Sequence, residues 1–142
     1  MLDKAIAIAA TAFTNVFDKG GTPYIMHCLH VMYKVRHLGV EAMIAAVLHD
    51  LIEDTTWTAE KLIETGFNPH TVNIIVLLTH RKGESYDDYI MRISVSPIAR
   101  AIKMADLRHN SDAHRLKGLR PKDHDRITKY HKAYAFLKAV KD

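Results

Sequence analysis

Residues 40–53, VEAMIAAVLHDLIE, constrain this chain more than any other stretch. The segment predicts a helix that is apolar around nearly its whole circumference, so it belongs at the centre and the rest of the chain must wrap it. Yet its end carries His49, Asp50, Glu53 and Asp54. Carboxylates in the last turn of a helix meet the negative pole of the macrodipole, and each is disfavoured by a few tenths to about 1 kcal/mol. They also repel one another. Among Val47, Leu48, Leu51 and Ile52, ionised acids must be paired, coordinated to a cation or protonated. A divalent metal ion relieves all of these penalties together. His49 and Asp50 offer one nitrogen and one oxygen ligand about 100° apart on the helix, and Glu53 and Asp54, at i+4 from each, extend that face. An isolated His-Asp pair is more often a solvated helix end, so the remainder of the chain decides.

Other segments also read as helices. Residues 3–17 place Ile6, Ala9, Phe13 and Phe17 at helical spacing, and DKGGT after them reads as a loop. Thr22-Pro23 predicts a capped start for a helix over 24–38 that Gly39 ends. A short helix lies between Thr58 and Gly66, and Asn68-Pro69 starts one through VNIIVLL to about Thr79. Ser85 with Asp88 is close to a capping box, Ser96-Pro97 opens a helix through IARAIKMADLRHN, and a last helix over 122–140 aligns Ile127, Tyr130, Tyr134 and Leu137. The expected architecture is an all-α helical bundle forming one domain over residues 1–142.

Composition agrees. A chain of 142 residues with 48% hydrophobic content can bury a core without staples. The lone cysteine, Cys28, cannot form an internal disulfide, and Asp3 breaks the basic start that a signal peptide requires, so a cytoplasmic setting is expected. No run approaches the ~18 apolar residues of a membrane span. The net charge of +4 favours an anionic partner without choosing one. Tyr130, Tyr134 and Phe136 sit at core-like helical spacing, which leaves no base-stacking platform and no specific nucleic-acid partner.

Two further segments give the acids company. In IKMADLRHN, Lys103, Asp106 and Asn110 share one narrow arc beside the core-facing Ile98, Ala101, Ile102 and Ala105. In TPYIMHCLH, His27 and His30 lie on nearly the same side of their helix. Two histidines and two aspartates drawn from three helices would bind a divalent ion with charges cancelling and with positions left for water and substrate.

PYIMH, AAVLHDLIEDT and KMADLRHN, in that order, resemble the HD-domain metal-dependent phosphohydrolases, and within them the guanosine tetraphosphate hydrolases of the RelA/SpoT and small Mesh1-like type. The resemblance covers about residues 5–115. It implies that His27, His49, Asp50 and Asp106 hold the metal, usually Mn²⁺, and that Glu53 and Asp54 are the catalytic acids. It also implies that Lys19 and Asn110 contact substrate, with Tyr86 matching a tyrosine of a similar motif. Lys103, Arg108 and Arg115, and beyond them Arg81, Lys82 and Arg120, are candidate clamps for phosphate charge, and Lys103 could instead pair with an acid of the metal site.

The chain departs from the family pattern in three places. Asp18 stands where a guanine-contacting arginine is usual, Cys28 replaces the proline after the metal histidine, and ADLRHN replaces ADRLHN. The implied reaction is metal-assisted hydrolysis of a small phosphorylated nucleotide, guanosine 3′,5′-bis(diphosphate) 3′-pyrophosphohydrolysis, giving pyrophosphate. With 142 residues there is no room for alarmone synthesis. Asp18 keeps open an HD hydrolase of another nucleotide, either a nucleotidase or a nucleoside polyphosphate hydrolase, and a non-catalytic nucleotide-binding module is the third reading. The C-terminal helix could cover the site or pack a homo-oligomer.

Overall fold

The computed structural model describes residues 1–142 and is built from nine α-helices: α1 (Leu2–Ala12), α2 (Ile25–Lys34), α3 (Val40–Val47), α4 (Leu51–Asp54), α5 (Ala59–Glu64), α6 (Pro69–Leu77), α7 (Tyr86–Ile93), α8 (Pro97–Asn110) and α9 (Pro121–Ala139). There is no β-strand, only an isolated antiparallel bridge between Phe17 and Pro23. The all-α expectation holds. No helix is long and apolar enough to cross a membrane.

The chain wraps α3 as its composition demands. Helices α1, α2, α6 and α8 all pack against it, and α9 lies along α8. Ala45, Ala46, Val47, Leu48 and Leu51 are fully enclosed. Small alanines let the neighbouring backbones approach, while Ile44, Leu48 and Leu51 fill the space between them. Truncating one of these large side chains to alanine would cost about 2–5 kcal/mol.

Local chemistry sets most boundaries. Thr58, Asn68, Ser85 and Ser96 each accept a hydrogen bond from a backbone N–H in the first turn of the helix that follows. Gly39 and Gly66 close their segments at φ 100° and 107°, a region that a side chain makes costly. The loop between α6 and α7 is clamped by Arg92, whose guanidinium donates to the carbonyls of Leu77 (2.9 Å) and Thr79 (2.8 Å) and to both carboxylate oxygens of Glu84.

The sequence-based boundaries differ from the structure in three of the expected helices. The first helix stops at Ala12 and not at residue 17, and Asn15 takes a positive φ of 61°. Pro23 does not begin α2. It pairs with Phe17 across a tight loop in which Asp18 N–H donates to Thr22 O (2.8 Å) and Tyr24 N–H to Val16 O (2.8 Å), so the helix starts two residues later. It also ends at Lys34, and Arg36–Leu38 form a 3₁₀ turn. Most consequentially, the expected helix over 40–53 is broken into α3 and α4. Leu48 and Asp50 sit at ψ 6° and 0°, and the N–H groups of His49 and Leu51 reach back only three residues, to Ala46 and Leu48. The His49 ring supplies the reason, because its Nδ1 lies 2.6 Å from Ala46 O and takes the carbonyl that a continuing helix would use. The acids therefore do not finish one long dipole; a tight turn projects His49 and Asp50 together, and Glu53 and Asp54 follow in the short α4.

Candidate metal centre and cleft

Helix α2 supplies His27, the turn after α3 supplies His49 and Asp50, and α8 supplies Asp106. One donor atom from each lies within 4.8 Å of the others. His27, His49 and Asp106 are buried, with 1%, 2% and 3% of their surface exposed. The sequence-based grouping of these residues is thus realised in space.

The protons on the two imidazoles are constrained by their other contacts. A carbonyl only accepts, so His49 Nδ1–H donates to Ala46 O, and its Nε2 is left facing the cluster. That atom lies 3.0 Å from Asp50 Oδ2 and 3.4 Å from Asp106 Oδ1, yet no hydrogen bond of acceptable geometry satisfies it. His27 Nε2 lies 2.9 Å from Asp106 Oδ1, while its Nδ1 lies 2.7 Å from His109 Nδ1 with the two rings 9° from parallel. One of those Nδ1 atoms donates and the other accepts. With Nδ1–H on His27, both histidines would present Nε2 lone pairs to carboxylate oxygens, an arrangement stable only around a cation or added protons. Two imidazole nitrogens and two carboxylates fit a divalent ion, and the orphaned His49 Nε2 is the atom that such an ion would satisfy.

The surrounding charges are arranged to keep both aspartates ionised. Burial opposes the charge on Asp106, but Lys103 and the two histidines outweigh it and hold the carboxyl well below its usual range. Burial likewise opposes Asp50, and His49 and Tyr24 overcome it. Lys103 Nζ donates to Asp106 Oδ2 at 2.9 Å, and Asn110 Nδ2 donates to Asp106 Oδ1 at 2.9 Å. Tyr24 OH donates to Asp50 Oδ2. Without metal, burial would lower the affinity of His49 for a second proton, but Asp50 and Asp106 reverse that and raise it well above the ordinary value.

Glu53 and Asp54 stand outside this group. Their carboxylates come within 4.8 Å of Asp50 as a second acidic cluster. Glu53 Oε1 accepts from His80 N–H at 2.7 Å. Asp54 is pushed up to about 6, first by desolvation and then by repulsion from Asp50 and Glu53.

Asp54 and Tyr24 also line a cleft of about 340 Å³. Lys19, Asn110 and Arg115 line it too, while Phe13, Val16, Phe17 and Leu116 form its apolar wall. Helix α9 contributes Arg126 and Tyr130, so the C-terminal helix covers part of the cleft. Asp18, in the position where the resemblance would place an arginine, is spent on the loop itself. Its Oδ1 accepts from the N–H groups of Gly20 and Thr22 at 2.9 Å each, and its Oδ2 from Arg115 Nη2 at 3.0 Å. Arg115 in turn donates to His109 O (2.9 Å) and Asn110 Oδ1 (3.0 Å). The contact between the two loops is close enough that a Cβ on Gly20 would fall 1.8 Å from Arg115 O.

The structure does not gather every candidate. Arg108 is exposed on another side of α8, in a groove with His30, Lys34 and His37. Tyr86 is packed among His80, Tyr89 and Tyr130, its hydroxyl buried without a hydrogen-bond partner, and it does not line the cleft. Lys103 is bound to Asp106, the pairing with a metal-site acid that the sequence had left as an alternative. Conversely, Tyr24 and His109 carry roles that sequence reasoning missed. Tyr24 is three residues before His27 and His109 three after Asp106, so helical spacing from the ligands could have singled out both. His30 stacks on His109 with ring centroids 3.8 Å apart.

Comparison with known proteins agrees with this geometry. The HD domain family matches residues 5–85. A Haemophilus influenzae protein named guanosine-3′,5′-bis(diphosphate) 3′-pyrophosphohydrolase is 33% identical over 135 residues, 86% of this chain and 20% of its own length. A Danio rerio protein named guanosine-3′,5′-bis(diphosphate) 3′-pyrophosphohydrolase MESH1 is 41% identical over 69 residues, 46% of this chain and 38% of its own. The solved structure described as "A metazoan ortholog of SpoT hydrolyzes ppGpp and plays a role in starvation responses" superposes with a TM-score of 0.81 at 21% identity, covering 99% of this chain and 86% of that one. This chain spans only 15% of another relative, a Mycobacterium leprae protein named probable GTP pyrophosphokinase that is 31% identical over 120 residues. With more than half of its residues matched by the family and the side chains of His27, His49, Asp50 and Asp106 gathered at one point, the chain belongs to the HD-domain family.

Proposed function

We propose that this chain is a Mn²⁺-dependent guanosine 3′,5′-bis(diphosphate) 3′-pyrophosphohydrolase acting in the cytoplasm, with residues 1–142 working as one HD unit. The observation that carries the reading is the convergence of His27, His49, Asp50 and Asp106, with an unsatisfied imidazole nitrogen among them. Tyr24 links this cluster to a nucleotide-sized cleft by bonding Asp50 while lining that cleft. Relatives whose names specify this substrate support it.

His27, His49, Asp50 and Asp106 would hold the ion, and mixed nitrogen and oxygen donors suit Mn²⁺. A bound divalent ion supplies a lowered pKa for water and polarises a phosphate oxygen. Lys103 and Asn110 fix the orientation of Asp106 by bonding one oxygen each. Asp54, on the cleft wall beside Asp50, is the group placed to receive or return a proton at its carboxyl, and Glu53 shares that acidic edge. Lys19 and Asn110 would contact the nucleotide, with Arg115 held in the same wall by Asp18. The engagement of Asp18 and Arg115 by one another favours a second reading, an HD hydrolase of a different nucleotide, because neither is free to read a guanine edge.

Pyrophosphate release from guanosine 3′,5′-bis(diphosphate) tests the proposal, measured with Mn²⁺, after chelation, and with Asp50→Ala. Release that needs the ion and disappears in the variant is expected. Release from nucleoside triphosphates but not from the bis(diphosphate) would establish the second reading, and turnover that persists in Asp50→Ala would overturn both.

A further inference from the structure

A second concavity, about 510 Å³ in volume, lies where α2, α8 and α9 meet, and Asp112 is the one residue it shares with the cleft. Two exposed cations line it, Lys34 and Arg108, and neither side chain makes an ion pair. Arg108 stands here because of a departure visible in the sequence. In ADLRHN the leucine takes the buried position 107 and the arginine the exposed position 108, the reverse of the usual ADRLHN. Asp112 is the one acid on the wall, and its Oδ1 accepts from the His114 backbone N–H at 2.9 Å. It offsets one of the two cations, so the groove keeps an excess of positive charge. Behind them stands the stacked pair of His30 and His109, and His109 Nδ1 faces His27 Nδ1 at 2.7 Å. With Nε2 of His27 turned to a metal ion, its Nδ1 carries the proton, His109 Nδ1 accepts, and the proton of His109 sits on Nε2. That N–H bonds nothing in the protein, and His109 lines the groove.

We infer that this groove is an effector site for a phosphoryl anion, held by Lys34, Arg108 and the Nε2–H of His109, and that its occupant tightens the metal cluster through the contact of His109 with His27. A phosphoryl group brings several acceptor oxygens and a charge of about −2, which suits two cations and a neutral donor better than a single carboxylate does. An oxygen that accepts from His109 Nε2–H makes His109 Nδ1 the stronger acceptor, and the polarised His27 ring then becomes the better ligand for a cation at Nε2. Linkage is reciprocal, so metal at the cluster tightens the anion by the same factor. The coupling rests on the metal cluster proposed above, whereas the affinity of the groove for the anion does not.

The test compares the wild-type chain with the double variant Lys34→Ala/Arg108→Ala, both exposed positions outside the metal cluster and the cleft. In calorimetry on chelator-treated protein, inorganic phosphate is expected to bind the wild type about tenfold more tightly than the variant, with the difference shrinking at high salt. Adenosine 5′-monophosphate in the same titration identifies the source: tighter binding than phosphate, lost in the variant, assigns the groove to the phosphate of a nucleotide, and no gain assigns it to the free ion. Mn²⁺ titrated into the wild type with phosphate present is expected to bind about fivefold more tightly than without it, and the variant should lose that gain. A gain of equal size in both proteins would place the phosphate on the metal and overturn the effector role, as would an unchanged Mn²⁺ affinity. Equal phosphate affinity in the two proteins, or none in either, would overturn the site altogether. If no nucleotide is hydrolysed but phosphate binding still depends on Lys34 and Arg108, the proposed function falls and the anion site stands.

Discussion

Two regions of this molecule concentrate charge, and they do so in opposite ways. Around Asp106 the charges are buried and mutually committed: Lys103, Asn110 and His27 each contact one of its oxygens, and Tyr24 bonds Asp50. Around Lys34 and Arg108 the charges are exposed and make no ion pair, and Asp112 is the one acid beside them. The buried region must hold its geometry to be stable at all, because an unpaired buried charge costs several kcal/mol. The exposed region can wait for a partner, since solvent screens it.

The contrast is broken most severely at its buried pole. Asp106→Ala removes a ligand and strands Lys103 beside the cluster, so kcat is expected to fall by about 10³-fold, equivalent to several kcal/mol of lost stabilisation. Steady-state rates at saturating substrate measure this. Replacing an exposed charge such as Lys34 is expected to leave kcat unchanged, and a comparable loss of kcat from both substitutions would erase the distinction.

Next in size is His109, which meets His27, a proposed metal ligand, from behind. His109→Ala is expected to weaken Mn²⁺ affinity by about 10- to 100-fold, as loss of a partner to a metal-bound imidazole generally does. Metal titration of the variant measures it, and His109→Gln, which restores an acceptor, should recover part of the loss. An unchanged affinity would show that the Nδ1–Nδ1 contact only packs the rings.

The smallest effect lies at an ion pair that belongs to neither pole. Glu84 is held at about 2, below its ordinary 4.5, chiefly by its two hydrogen bonds from Arg92. A carboxyl whose pKa is lower in the folded chain stabilises fully above its unfolded value, and that contribution disappears as the pH falls from 4.5 towards 2. Thermal melts across that window should therefore show a shallower acid dependence in Arg92→Lys, which cannot make the same forked contact. Identical pH profiles would mean that Glu84 is unperturbed in solution.

Much of this arrangement was legible in the sequence because it depends on local rules. Asn68, Ser85 and Ser96 announce their helices through short-range capping, and the enclosed α3 follows from its composition. The residue types suggested two histidines and two aspartates from three helices, the resemblance picked out His27 among them, and the arc of Lys103, Asp106 and Asn110 becomes the bonded set expected of neighbours on one helix face. The break after Val47 was not legible, since Leu48, His49 and Asp50 tolerate helix and only the ring of His49 on Ala46 O diverts them. Pro23 misled for a related reason. Its fixed φ suits a helix start, but the pairing with Phe17 claims it for the preceding loop. Asp18 could be seen to differ from an expected arginine, whereas its use as a brace for Arg115 depends on a residue far along the chain. The same is true of the cover that α9 provides through Arg126 and Tyr130.

The central claim is that two imidazoles and two carboxylates are assembled for one divalent ion. Calorimetric titration of Mn²⁺ into chelator-treated protein tests it most directly, with Asp106→Asn as the comparison. One ion per chain is expected to bind the wild type, raising its melting temperature in proportion to the logarithm of free metal, and to bind the variant at least tenfold more weakly. Absence of saturable binding to the wild type, or equal binding to both proteins, would contradict the account.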